Sequence, residues 1–137
     1  MENNFILYPP ALLMILTLFL YVKSYLDNTT AFKNKTVKGS YFKAYQDKVP
    51  EHIEVSRQTL KNQFELPIFF YFLICVILIF DYIRIIDHIF AWLFVVSRYA
   101  HCYIRLTSNY VPHRAKAFQF GLFVLMAWWI NFLYYNL

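Results

Sequence analysis

Two glycines, two cysteines and eight acidic residues are all that this chain of 137 holds of three residue classes, and each shortage excludes something. Charged residues make up only 15% of the sequence, too few to cover an ordinary soluble surface when 60% is hydrophobic and 22% aromatic. The two cysteines, Cys75 and Cys102, both fall inside apolar runs. They supply neither a disulfide framework nor a zinc-binding spacing, and read as free apolar side chains. The scarcity of glycine and of alternating segments argues against a transmembrane barrel.

What the chain has instead is apolar length. Runs over about residues 5–26, 64–84, 88–106 and 115–135 each approach what a hydrocarbon core of ~30 Å requires at ~1.5 Å per helical residue. Backbone groups in lipid must be satisfied internally, so these runs predict helices. The fold class is all-α integral membrane: one domain, a bundle of four transmembrane helices over about 5–26, 50–83, 88–106 and 112–135, with a cytosolic loop over 27–49. The first run begins MENNF, acidic rather than basic, and no small-residue cleavage site follows, so it reads as a retained helix rather than a secretion signal. Pro50-Glu51 suits the start of helix 2. From there the helix would run ~50 Å, longer than the bilayer core, and project into the cytosol. Tyr41, Phe42 and Tyr45 are expected to dock the loop on the membrane surface.

The cations set the orientation. Lys33, Lys35, Lys38, Lys43 and Lys48 lie between helices 1 and 2, flanked by Lys23, Arg57 and Lys61; Arg105, Arg114 and Lys116 lie between helices 3 and 4. The opposite side has Arg84 with Asp81 and Asp87 beside it. Positive charge stays inside, which places both basic loops in the cytoplasm and both termini outside. The net +5 is a topology signal and calls for no nucleic acid.

Several polar residues interrupt the apolar helices. Gln58, Asn62 and Glu65 are spaced i, i+4, i+7 on one face, and Lys61, four before Glu65, could pair with it; taken alone this is an interfacial helix end with a solvated ion pair. Arg98, His101 and Arg105 share one face of helix 3, with Arg98 behind a long apolar stretch. A lone buried arginine costs at least ~2.5–3.5 kcal/mol, so it needs a partner. Two readings stand side by side: a structural Glu65–Arg98 ion pair, or an anion-binding pocket. Helix 4 opens with His113, Arg114 and Lys116, cations that oppose the helix dipole; either an anion binds there or positive-inside topology alone accounts for them. The three faces together outline a polar pocket for an anionic cytosolic molecule, beside a lipid-facing route for a hydrophobic one.

Asn62-x-x-Glu65 with Pro67 behind it, Arg98-x-x-His101, and Arg114 thirteen residues later carry a resemblance. The chain resembles the MAPEG family, the membrane-associated proteins in eicosanoid and glutathione metabolism, in particular bacterial members with NxFELPxxFY-like and HxxIRLTSNxVPxR-like stretches. The resemblance implies a homotrimer that binds glutathione as co-substrate on the cytosolic side and transfers it to hydrophobic electrophiles or uses it to reduce lipid hydroperoxides. It implies that Asn62 and Glu65 hold the glutathione backbone and amino group, that Arg98 and His101 bind its carboxylates or shape the pocket, and that Arg114 stabilises the thiolate. Gln58 and Arg105 stand where family members place an arginine and a tyrosine, and are read as glutathione-binding in their stead. Phe118 replaces a further tyrosine, and these changes argue against an eicosanoid synthase. No metal site is read. Two other classes fit the same residues: a protein of this fold that binds a thiol or anionic lipid without turnover, and a small proton-coupled exporter using Glu65. The scarcity of small residues opposes the exporter.

Overall fold

The computed structural model describes residues 2–46 and 48–136, and no strand occurs among them. A 3₁₀ turn, Glu2–Leu7, leads into α1 (Tyr8–Lys33), where Pro9 and Pro10 occupy first-turn positions whose N–H groups would be unsatisfied anyway. α1 runs seven residues beyond the expected end, taking in residues 27–33 of the expected loop. The short α2 (Tyr41–Ala44) follows. Of the three aromatics expected to dock the loop on the membrane, Tyr45 is exposed and Phe42 partly buried, while Tyr41 turns inward. Tyr41 is buried with Ala31, Val37 and Ile53 in a small separate core that fastens the loop to α1 and α3. Burial raises the Tyr41 hydroxyl above its ordinary pKa, and its oxygen lies 3.5 Å from Glu54.

The long helix expected over 50–83 is three pieces. α3 (Glu51–Lys61) tightens into a 3₁₀ turn over Asn62–Phe64, and after Glu65 the chain resumes as α4 (Leu66–Phe80). Pro67 supplies the reason. Its nitrogen cannot donate to the carbonyl four residues back, at Gln63, and its ring crowds that carbonyl, so the ladder breaks there. Glu65 absorbs the irregularity at φ −97°, ψ −86°. α4 ends at Asp81, a left-handed residue at φ 50°.

α5 (Ile85–Leu106) and α6 (Val111–Asn136) complete the bundle. Three rods, Phe5–Lys33, Glu51–Phe80 and Val111–Asn136, are long and apolar enough to cross a membrane. The expected fourth span, α5, has the length and carries Asp87, Arg98 and Arg105, and it is not among these three. The core joins Leu13 and Leu20 of α1, Phe70 and Leu73 of α4, Phe94 of α5 and Trp128 of α6. The Phe70 ring stacks on Phe94 at 4.7 Å between centroids.

α5 and α6 meet closely at Gly121. A Cβ there would overlap the Ser97 hydroxyl and come within 3.2 Å of an Arg98 Nη atom. Ser97 is held in place by donating to the Phe94 carbonyl at 2.6 Å. Gly121→Val is therefore expected to destabilise the protein by about 1–3 kcal/mol through overpacking. Thermal unfolding in detergent checks this, with Ser97→Gly on top of the valine restoring part of the loss. An unchanged midpoint would show that the two helices separate freely here.

Candidate functional site

The expected site residues cluster at the end of the bundle where α3, α5 and the start of α6 meet, but they are shared out differently from the sequence reading. Arg98, His101 and Arg105 are all buried on α5, as their spacing on one face requires. The His101 imidazole lies 3.0 Å through Nδ1 from the Arg114 carbonyl, tying α5 to the first turn of α6. A carbonyl only accepts, so Nδ1 carries the proton. Arg105 donates through Nη2 to Gln58, whose own amide donates to Glu54 at 2.6 Å. Glu54 is further held by Arg57 at 2.6 Å. Gln58 thus links α3 to the deepest cationic row of the site.

Arg98 is 1% exposed, and among the described residues none of its guanidinium nitrogens has a hydrogen-bond partner. The group lies 4.9 Å from the centre of the Phe118 ring and 5.7 Å from that of Phe94. The Glu65–Arg98 ion pair considered from sequence does not form. Glu65 is exposed and pairs with Lys61 at 4.0 Å, a contact of little energetic weight. The expected common face of Gln58, Asn62 and Glu65 is also broken. In the 3₁₀ turn each residue advances ~120° rather than ~100°. Asn62 is consequently half-buried, Glu65 points outward and Gln63 turns inward.

Gln63 went unread in the sequence because Asn62 and Glu65 flank it. It is buried and its amide donates to Cys102 Sγ at 3.2 Å. Its Oε1, His101 Nε2 and Arg105 Nε are, with the Arg98 nitrogens, buried polar atoms without partners among the described residues. Such atoms are costly unless a ligand, water or another chain satisfies them. Pro67 was the available signal, since a proline just inside an apolar run announces that helical phase will be lost before it.

Arg114 is half-buried and donates to the Asn109 side chain. Asn109 in turn donates to Glu51 at 3.3 Å. Alongside, Lys23, Glu51, His52, Arg105 and Asn109 line a polar cleft of about 510 Å³. An apolar groove of about 430 Å³ between α1 and α5 includes Leu16, Phe19, Tyr99, Cys102 and Leu106. A cationic helix start, buried unpaired donors, a polar cleft and an apolar groove thus lie around one end of α5. That combination suits an anionic molecule brought next to a lipophilic one.

The MAPEG family model matches residues 6–134, nearly the whole chain. No curated protein and no solved structure matches it. The match covers every helix that builds the site: this chain belongs to the MAPEG family, a membrane family of glutathione and eicosanoid metabolism.

Proposed function

We propose that the protein is a membrane-bound, glutathione-dependent transferase or peroxidase acting on hydrophobic electrophiles or lipid hydroperoxides. One observation carries the reading: Arg114 opens α6 beside a row of buried α5 side chains, several of whose polar atoms lack partners. In this reading Asn62, Glu65, Gln58, Arg98, His101 and Arg105 bind glutathione, and Arg114 is catalytic. Glu65 is exposed and Asn62 half-buried, whereas Arg98 is buried. The two sets would be completed across the interface between copies, in the homotrimer that the family resemblance implies. The four long helices sit in the membrane with the basic loops on the cytosolic side, where glutathione is available, and the α1–α5 groove receives the lipophilic substrate.

The chemistry follows from charge. A thiol of pKa ~8.5 is mostly protonated at neutral pH, and a nearby guanidinium favours the thiolate, which is the nucleophile. In transfer, the thiolate sulfur forms a bond to an electrophilic carbon as the leaving group departs with its electron pair. In peroxide reduction, sulfur attacks the distal oxygen, the O–O bond breaks and the alcohol leaves. A second glutathione then forms the disulfide and releases water.

A second reading, the same fold binding a thiol without turnover, is favoured by Phe118, whose ring packs on Arg98 and His101 and has no hydroxyl to offer a ligand. The exporter reading draws no support from Glu65, which lies exposed beside Lys61 rather than in a buried proton site. The test is an ultraviolet difference spectrum on adding glutathione to the purified protein, beside Arg114→Ala. A thiolate band that the variant loses, with binding retained, is the expected result. Binding without a band would favour the second reading, and no binding would end the glutathione reading.

A further inference from the structure

The α5–α6 turn places an amide between two opposite charges. Asn109 accepts a hydrogen bond from Arg114 Nη1 through its side-chain oxygen and donates through its nitrogen to Glu51 Oε1. Both partners orient the amide the same way, acceptor toward the cation and donor toward the anion. Its backbone is committed as well. Asn109 lies in the left-handed region at φ 49°, which asparagine tolerates far better than most residues, and its N–H donates to the Ile104 carbonyl at 2.8 Å. The turn therefore presents this side chain in one place.

The arrangement has an electrostatic consequence. Glu51 sits in the first turn of α3, where an acid is favoured by the helix dipole. Were its carboxylate to reach Arg114 directly, it would form an ion pair and cancel the charge that Arg114 has to offer. A neutral amide fixes the guanidinium through one N–H and leaves the positive charge in place. Of the other charged and titratable groups, Arg105 and His101 of α5 feel the arginine, His113 and Lys116 flank it on its own helix, His52 lies in the same cleft as Asn109, and Glu54 of α3 is held by Arg57 and Gln58. Glu51 is the carboxylate that the amide itself touches and holds off.

We infer that Asn109 is a positioning residue, a neutral spacer that aims the Arg114 guanidinium and keeps Glu51 from neutralising it. This deepens the glutathione reading and rests on it for its catalytic meaning, though not for its geometry. The spacer makes a prediction that a merely structural hydrogen bond does not: restoring the acceptor with a negative charge is worse than removing it. Asn109→Gly keeps the left-handed backbone and deletes the side chain; Asn109→Asp keeps an acceptor and adds the charge.

Two readouts on the full-length protein in detergent test it. The first is the glutathione thiolate band followed against pH. Asn109→Gly is expected to lower the thiolate fraction at neutral pH severalfold. Asn109→Asp should lower it about tenfold or more, which corresponds to a rise of about one pKa unit. The second needs no glutathione: the rate at which phenylglyoxal modifies Arg114, resolved by mass spectrometry. The reagent attacks the neutral guanidine, so Arg114 should react faster than wild type in Asn109→Gly, where it is released, and slower in Asn109→Asp, where a carboxylate holds it protonated. An aspartate variant whose Arg114 labels like wild type, or whose thiolate band equals one that wild type shows, or a glycine variant with unchanged Arg114 reactivity, overturns the spacer. If wild type shows no thiolate band while the labelling order holds, the spacer stands and the glutathione chemistry fails.

Discussion

Asp87→Ala is expected to cost about 3–5 kcal/mol, the range found when one member of a buried charged pair is removed. Asp87 is fully buried at the start of α5 and is contacted from three directions. It accepts from the Arg84 backbone N–H at 2.9 Å, from the Arg84 guanidinium at 3.2 and 3.3 Å, and from the Trp128 indole of α6 at 2.8 Å. The first contact caps the helix; the last clamps α5 to α6. Arg84 continues the network to Asn131 at 2.6 Å and lies 4.7 Å from the Tyr135 ring centre. Removing the carboxylate leaves a buried indole N–H and a partly buried guanidinium unpaired. Chemical or thermal unfolding in detergent measures the loss, and Asp87→Asn, which still accepts from Trp128, should lose less. Equal losses for the two variants would show that the charge, rather than the indole contact, dominates. A loss under about 1 kcal/mol would mean that water reaches the cluster.

Arg98→Met is expected to do the opposite, raising stability in the ligand-free protein by roughly 2–3 kcal/mol, the cost of an isolated cation in an apolar interior. The side chain is as buried as Asp87, yet its nitrogens have no partners among the described residues. Methionine fills similar length without charge, in space bounded by Phe94, Phe118 and Gly121. The same variant should lose part of the stabilisation that saturating glutathione gives wild type, since binding to the folded state alone adds RT ln(1 + [L]/Kd). Stability given up by the free protein and recovered on binding is what a site residue shows. A destabilised Arg98→Met would mean that the guanidinium is already satisfied, by water or by a neighbouring copy, and that its role is structural.

Much of the architecture was legible in composition and spacing. The apolar runs, the shortage of charge and the lysine-rich loops carry a membrane bundle because hydrocarbon tolerates little else. Arg98, His101 and Arg105 share a buried face because 3.6 residues per turn demand it. Asn62, Glu65, Arg98, His101 and Arg114, read together and in order, carried the family resemblance. These are local properties: a residue's partition between lipid and water, and its angle around a helix, depend on the residue and its near neighbours.

Other features depend on which helices meet, and only the tertiary structure decided them. Pro67 was visible in the sequence, but the turn it forces brings Gln63 inward and sends Glu65 out, so the ion pair expected for Arg98 is absent. Asp87 looked like a charge balancing Arg84 until Trp128, 41 positions away, closed the cluster. Gly121 counted as one of two glycines until α5 was seen pressing Ser97 and Arg98 against it. Asn109 belonged to a turn, and its meaning lay in having Glu51 on one side and Arg114 on the other. Periodicity assigns a residue a direction; a partner on another helix is set by packing, and no local pattern encodes it.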